Sequence, residues 1–331
     1  MDVISFTREL VDIESITNNE ARIGQFLCDR LSSLGYRVRR MQVKGDRFNV
    51  LALAPNHPDP SIVFSTHIDT VPPFIASSED DEKIYGRGAC DAKGIIAAQV
   101  GAAERLRAAG IGAGLLFLVG EEHDNAGAKV ANQHPIGAKF LINGEPTDNR
   151  LASASKGALQ VEITAKGRMA HSAYPECGES AVEKLLEALQ RVRSIKLPLH
   201  PEVGPTTMNI GVIEGGRAAN VIADRAKARV LFRTIGPTQH LRAQILEAAR
   251  QFAHVEFVSE VPFIKLDGGH SLPTMVASFF TDIPSLSRWG KPFLIGPGSI
   301  HVAHTEHEHV EKKEILAGVD VYFNLARELV S

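Results

Sequence analysis

Apolar residues recur at three- and four-residue spacing through Ile4–Ile13 and Ala21–Leu34, which predicts two amphipathic helices at the start of the chain. Gly35 follows the second, where a helix end favours glycine. The period then changes. Arg37–Val43, Phe48–Ala52 and Ser61–Ser65 are short runs rich in β-branched residues. Ile62-Val63-Phe64 shows no polar alternation, as expected of a strand buried on both faces of a parallel sheet. Asp91 stands where it would cap a helix from about Lys93 to Ala109, closed by Gly110. Leu115–Val119 and Phe140–Ile142 read as further buried strands on either side of a helical Ala126–Asn132. Strands alternating with helices predict a doubly wound α/β sheet.

The pattern shifts after Ser155. Leu159–Ala165 alternates as a strand, Glu179–Val192 is helical, Thr206–Val212 and Arg225–Arg233 are strands, Gln239–Phe252 is helical and Val255–Ser259 is a strand. That order, β-α-β-β-α-β, is the ferredoxin-like α+β unit. It predicts a second domain at 156–264, inserted into a first domain made of 1–155 and 265–331. From Leu266 the α/β character resumes, with a helix near Leu272–Phe280, a strand at Pro292–Ile295 and a final helix from Lys313 to Leu329. A length of 331 residues fits two domains better than one.

Lys and Arg total 36 against 39 Asp and Glu, a net charge of −3, so no excess of positive charge points to nucleic acid or a membrane surface. The longest apolar runs, such as Gly114–Gly120, fall far short of the roughly 18 residues that a membrane span needs. The opening residues show no basic stretch followed by an apolar one, and Cys28, Cys90 and Cys177 form no CxxC pair. A cytoplasmic protein is the expectation. Thirteen histidines are left without a structural reason.

Several buried strands run directly into metal-ligating residue types. Ser65-Thr66-His67-Ile68-Asp69 follows the strand at 61, Gly120-Glu121-Glu122-His123 that at 115, and Gly144-Glu145-Pro146 that at 140. Gly88-Ala89-Cys90-Asp91 precedes a helix, and the strand at 292 leads through Gly296-Pro297-Gly298 to His301, Ala303 and His304. Open α/β sheets bind ligands beyond the carboxyl ends of their strands. Carboxylates gathered there repel one another, and a pair of divalent cations removes that penalty. Each piece alone has a plainer reading: HxD as a turn or cap, Glu-Glu as a solvated loop, His301–His309 as a surface loop. The ordered set at successive strand ends does not. Gly86-Arg87-Gly88 lacks the third glycine of a dinucleotide loop, and neither GxxxxGK[ST] nor GxSxG occurs, so nucleotide binding and a serine nucleophile are set aside.

His67-Ile68-Asp69-Thr70-Val71-Pro72, Gly86-Arg87-Gly88-Ala89-Cys90-Asp91-Ala92-Lys93-Gly94, Glu121-Glu122, Gly144-Glu145-Pro146-Thr147 and Gly296-Pro297-Gly298 with Ala303-His304 together resemble one family. It is the dinuclear-zinc aminoacylase and carboxypeptidase family, in particular its acetylornithine deacetylase and succinyl-diaminopimelate desuccinylase branch. The resemblance spans essentially the whole chain. It implies a mixed-sheet catalytic domain and an inserted domain that mediates homodimerisation. It also implies metal ligands His67, Asp91 (bridging), Glu122, Glu145 and His304, with Glu121 as general base. Asp69 would orient the His67 imidazole. His171, in Gly167-Arg168-Met169-Ala170-His171-Ser172, would reach the partner subunit's site and donate to the oxyanion. Asn220, Arg233 and the Gly298 backbone would position substrate, a guanidinium suiting a carboxylate. One imidazole with carboxylate oxygens per ion suits Zn²⁺, with Co²⁺ or Mn²⁺ as substitutes.

Three departures stand out. Cys90 lies beside Asp91 where a small residue is common, and packing rather than redox sensing is expected of it. Ala223 replaces a proline, and His307 stands where an Asp-Glu pair is common, leaving Glu308. The reading is a metal-dependent amide hydrolase, acetylornithine deacetylase-like, that removes an acyl group from an N-acyl amino acid. Alternatives are a desuccinylase, a hydrolase of carrier-protein-linked amino acids or a dipeptidase. A metal-free, non-catalytic binding homologue would lack Glu121 or a ligand, and each of those positions is filled.

Overall fold

The buried runs of the first domain assemble into one six-stranded sheet in the computed structural model, which describes residues 1–331. Its order is Arg37–Lys44, Arg47–Leu53, Ala113–Leu118, Ile62–His67, Phe140–Asn143 and Lys291–Leu294. The first three strands pair antiparallel, and the remaining neighbours pair parallel. Period two explains the absence of polar alternation. Ile62 and Phe64 face a layer formed by the helices Val3–Val11, Ala21–Ser33, Gly94–Ala108 and Lys312–Val330, whereas Val63 points the other way with Leu116, Leu118, Leu141 and Trp289. Both faces are covered, so every position of the central strands is apolar or internally hydrogen-bonded. Trp289 donates its indole N–H to the Ala131 carbonyl at 3.0 Å. Gly101 allows the helix layer to close, since a Cβ there would sit 2.9 Å from Val3 and 3.1 Å from Val319.

The chain divides into two compact units. The first comprises Met1–Ser153, Leu266–Met275 and Thr281–Ser331, and the second Ala154–Lys265 with Val276–Phe280. In the second, the strands Gly157–Lys166, Thr207–Gly215, Arg225–Thr234 and His254–Val261 and the helices Ala181–Arg193 and Gln239–Ala249 follow a β-α-β-β-α-β order. The all-antiparallel sheet runs Thr207–Gly215, Arg225–Thr234, Gly157–Lys166, His254–Val261. Leu159, Val161, Ile163 and Ala165 alternate inward against Leu185, Leu189, Leu241 and Ile245 of the helices. Ser180 caps the first helix by accepting the Glu183 N–H at 3.2 Å.

Two local expectations are corrected. Leu272–Phe280 is not a helix: Thr274–Ala277 is a strand in a sheet with Leu151–Ser155 and Ile264–Lys265. Pro273 and the β-branched Thr274 and Val276 favour extended backbone over the helical spacing of the apolar residues. Asp91 does not cap the following helix. A single π-turn, Ala89–Lys93, intervenes, and the helix Gly94–Ala108 starts without a side-chain cap. No helix is long and apolar enough to cross a membrane.

Candidate metal centre

Three parallel strands end together, and each delivers a side chain of a type that can ligate a metal ion. His67 is the last residue of its strand, Glu121 and Glu122 follow Ala113–Leu118 after two residues, and Glu145 follows Phe140–Asn143 after one. The π-turn presents Asp91 to the same place. Its Oδ1 lies 2.9 Å from Nε2 of His67 and its Oδ2 lies 3.4 Å from Nε2 of His304, so one carboxylate faces two imidazoles with its two oxygens. His304 reaches it from a left-handed backbone position (φ 64°) and also meets Glu122 Oε1 at 2.9 Å. Ligand atoms of His67, Asp91 and Glu145 lie within 4.8 Å of one another, as do those of Asp91, Glu122 and His304. Asp91 belongs to both groups.

Asp69 has a larger task than orienting an imidazole. His67 Nδ1 is held at 3.0 Å by the Asp69 backbone carbonyl, with the carboxylate at 3.6 Å. That carboxylate mainly binds the turn bearing the two glutamates: Oδ1 accepts from Gly120 N–H (3.0 Å) and Glu121 N–H (3.1 Å), and Oδ2 from Glu122 N–H (3.2 Å) and Thr17 Oγ1 (2.8 Å). Gly120, at φ 79°, lets the chain turn tightly enough to aim successive N–H groups at one acceptor.

Burial dominates the electrostatics. It pushes Glu121 and Glu145 well above the usual carboxylate range, and neighbouring acids push the same way. Glu122 is also raised by burial, although the His304 hydrogen bond opposes this. Burial raises Asp91 too, but the hydrogen bonds from His304 and His67 outweigh it, and its pKa falls. Burial works against a charged His67, yet Asp69 and Asp91 hold its pKa well above the histidine value. Hydrogen bonds to Asp91 and Glu122 raise His304 to about 10. The buried Glu145 Oε1 has no hydrogen-bond partner. A carboxyl oxygen left without a partner beside His67 and Asp91 fits a cation-binding site, and the N/O donor set fits borderline divalent ions.

The patterns along the chain gave no sign of Asp282. It is 1% exposed, raised to about 6 by burial, and accepts Asn125 Nδ2–H at 2.9 Å, so it braces the turn that begins at Gly120. Cys90 is buried with its thiol pushed up by burial, in keeping with a packing role. Gly298 (φ 88°) packs on Cys90, where a Cβ would come within 2.8 Å, and its carbonyl accepts the Asp148 N–H.

The remaining candidates lie in the second unit. His171 is exposed, and its Nδ1 accepts the Ala173 N–H at 3.1 Å. Ser172 N–H donates to the Asn220 carbonyl at 3.0 Å, so the His171 and Asn220 segments adjoin. Arg233 is not with them. It pairs with Ala158 and Thr207, at the far end of the strand whose other end, Arg225, pairs with Lys166. Eight residues of strand separate those ends by roughly 25 Å.

The sequence profile described as Peptidase family M20/M25/M40 matches residues 63–328. A peptidase M20 domain-containing protein of Schizosaccharomyces pombe is 39% identical over 342 residues, covering 97% of this chain and 83% of its own length. A protein of Aspergillus clavatus named "probable carboxypeptidase" is 39% identical over 353 residues, covering 92% and 78%. Among solved structures, aminopeptidase PepT of Bacillus cereus superposes with a TM-score of 0.81 at 22% identity, over 100% of this chain and 98% of that one. YXEP of Bacillus subtilis, described as a dinuclear metal binding peptidase, gives 0.69 at 16% identity, over 99% and 97%.

A histidine must be neutral to ligate a cation, whereas His304 stays protonated up to about 10 in the metal-free chain. Zn²⁺ uptake at pH 7 should therefore release protons, and affinity should climb as pH rises toward 10. Calorimetry in two buffers of different ionisation enthalpy measures this, and a buffer-independent heat would contradict it.

Proposed function

This chain belongs to peptidase family M20/M25/M40, and we propose that it hydrolyses the amide of acyl–NH–CHR–COO⁻ with two divalent cations held around Asp91. The observation that carries the reading is a single buried carboxylate shared by two ligand groups. His67, Asp91 and Glu145 would hold one cation, and Asp91, Glu122 and His304 the other, with Zn²⁺ best suited to the donors. The cations supply polarisation of the scissile carbonyl and a water acidic enough to attack near neutral pH.

Glu121 moves the proton. It is buried, stands outside both ligand groups, and has a raised pKa, which makes it a stronger base than an ordinary carboxylate. It takes a proton from the attacking water and returns it to the leaving amine. Asp69 fixes the backbone of Glu121, so the base need not be ordered at each turnover. The names of the relatives, a probable carboxypeptidase among them, favour a peptidyl acyl group, and the acetylornithine deacetylase-like reading favours acetyl. A carboxypeptidase substrate and an N-acetyl amino acid share the same amide beside a free carboxylate, which Arg233 would receive, with the Gly298 backbone completing the contacts. Three unpaired cysteines suit a reducing compartment, and the cytoplasm is the location we propose.

His171 and Asn220 would serve the other subunit of a homodimer formed through the second unit. Their distance from Arg233 along one strand supports this, because a small substrate cannot touch both ends of the same sheet.

A panel of short peptides and N-acetyl amino acids, each with a free or amidated terminus, tests the substrate class. Free carboxylates should be cleaved and amidated analogues should not; equal cleavage of both would sink the carboxylate requirement.

Base and ligand can be separated within Glu121-Glu122. Glu121→Gln should lower kcat by roughly 10²–10⁴ with metal retained, whereas Glu122→Gln should weaken metal binding. Metal content and kcat of both variants decide, and the opposite assignment would show the two roles exchanged.

Subunit sharing predicts complementation. His171→Ala and Glu121→Ala chains should each be nearly inactive, and verified mixed dimers should regain one working site. No recovery in such dimers would exclude action in trans.

A further inference from the structure

Arg87 and Glu308, 2% and 1% exposed, form a buried ion pair across 221 residues of sequence, with Nη1 donating to Oε2 at 2.6 Å. Neither residue hydrogen-bonds the side chains of His67, Asp91 or His304, yet together they grip the segments that carry them. Glu308 Oε1 accepts the N–H of Gly88 at 2.9 Å and that of Asp91 itself at 3.3 Å, and the Cys90 thiol lies 3.7 Å away. Arg87 donates to the Pro73 carbonyl at 3.2 Å, six residues beyond His67, and to the Thr305 carbonyl at 3.1 Å, next to His304. A small sheet fixes the register of the pair. Lys83–Tyr85 runs antiparallel to His309–Glu311, and the Gly86 N–H donates to the Glu308 carbonyl at 3.0 Å.

Stability alone gives little reason for this arrangement. A buried Arg–Glu pair loses so much hydration that apolar residues of similar volume often serve as well. What apolar residues cannot do is accept two backbone N–H groups of the Asp91 turn while donating to the loops on either side. We propose that Arg87–Glu308 is the positioning pair of the centre: it sets where Asp91 stands relative to His304 and His67, and so sets the affinity for divalent cations. This rests on the reading of the site as a metal centre.

The test titrates Zn²⁺ into metal-free protein against a chromophoric chelator and also records the rise in Tm that Zn²⁺ produces. Glu308→Ala should bind Zn²⁺ roughly 10–100-fold more weakly, the usual effect of removing a group that orients ligands. Since Glu308→Ala leaves a lone buried guanidinium, the charge-free double variant Arg87→Met/Glu308→Leu is measured beside it and should show the same loss. Glu308→Gln keeps one accepting oxygen and should recover most of the affinity. A purely structural role would lower Tm equally with and without Zn²⁺, whereas positioning shrinks the Zn²⁺-induced rise itself. A folded double variant that binds within twofold of the parent overturns the proposal, as does Glu308→Gln losing as much as Glu308→Ala. A parent chain that takes up no Zn²⁺ would instead refute the metal-centre reading.

Discussion

Carboxyl groups packed side by side away from water lose their hydration and repel one another when ionised, and the first unit of this chain places seven around the ends of its parallel strands, six of them buried and Glu122 nearly so. Asp69, Asp91, Glu121, Glu122, Glu145, Asp282 and Glu308 do not bear that cost equally. Asp69 has three backbone N–H groups and a hydroxyl, Asp91 has two imidazoles, and Glu308 has a guanidinium and two N–H groups. Glu121 and Glu145 have no comparable partners and are the two pushed well above the ordinary range. The settled acids hold backbone in place. The unsettled ones mark where positive charge is missing, which is the physical basis for reading the site as a cation centre.

The sequence showed this much because the central strands are buried on both faces. A run such as Ile62-Val63-Phe64 can be little else than an interior strand, and once it is placed, His67 must stand at its carboxyl end. The same logic located Glu121, Glu122 and Glu145. It failed where local pattern and tertiary role diverge. Asp91 resembles a helix cap because Asp before an apolar helix is usually one; the family resemblance implied a different role, and the π-turn aims its carboxylate at His67 and His304 instead of the helix. Arg87 and Glu308 lie 221 residues apart, and their meeting depends on two three-residue strands too short to leave a periodic signal. Asp282 follows a segment whose apolar spacing imitates a helix while its proline and β-branched residues make it a strand.

The second unit was legible for a different reason. Its sheet has one face against helices, so Leu159, Val161, Ile163 and Ala165 alternate with more polar neighbours and the period can be read directly. Its candidate site residues were harder to place, since strand register decides which of them adjoin. Arg233 and Asn220 look like members of one group in the sequence. Pairing puts the first beside Ala158 and the second beside the His171 turn.

Two adjacent glutamates can take unlike roles only if their backbone is fixed and their side chains diverge. Asp69 meets the first condition by holding the N–H groups of both. The second follows from their surroundings. Glu122 reaches to the half-exposed His304 at 2.9 Å, while Glu121 is turned into the interior, where Glu145 is the neighbouring acid that raises it most. A carboxylate already paired with a histidine is less free to trade protons. One kept in a low-dielectric pocket without a partner is basic enough to do so. On the proposed roles, the difference between ligand and base would be set by direction from a shared anchor rather than by residue type, which is why a Glu-Glu pair alone does not reveal which residue does which.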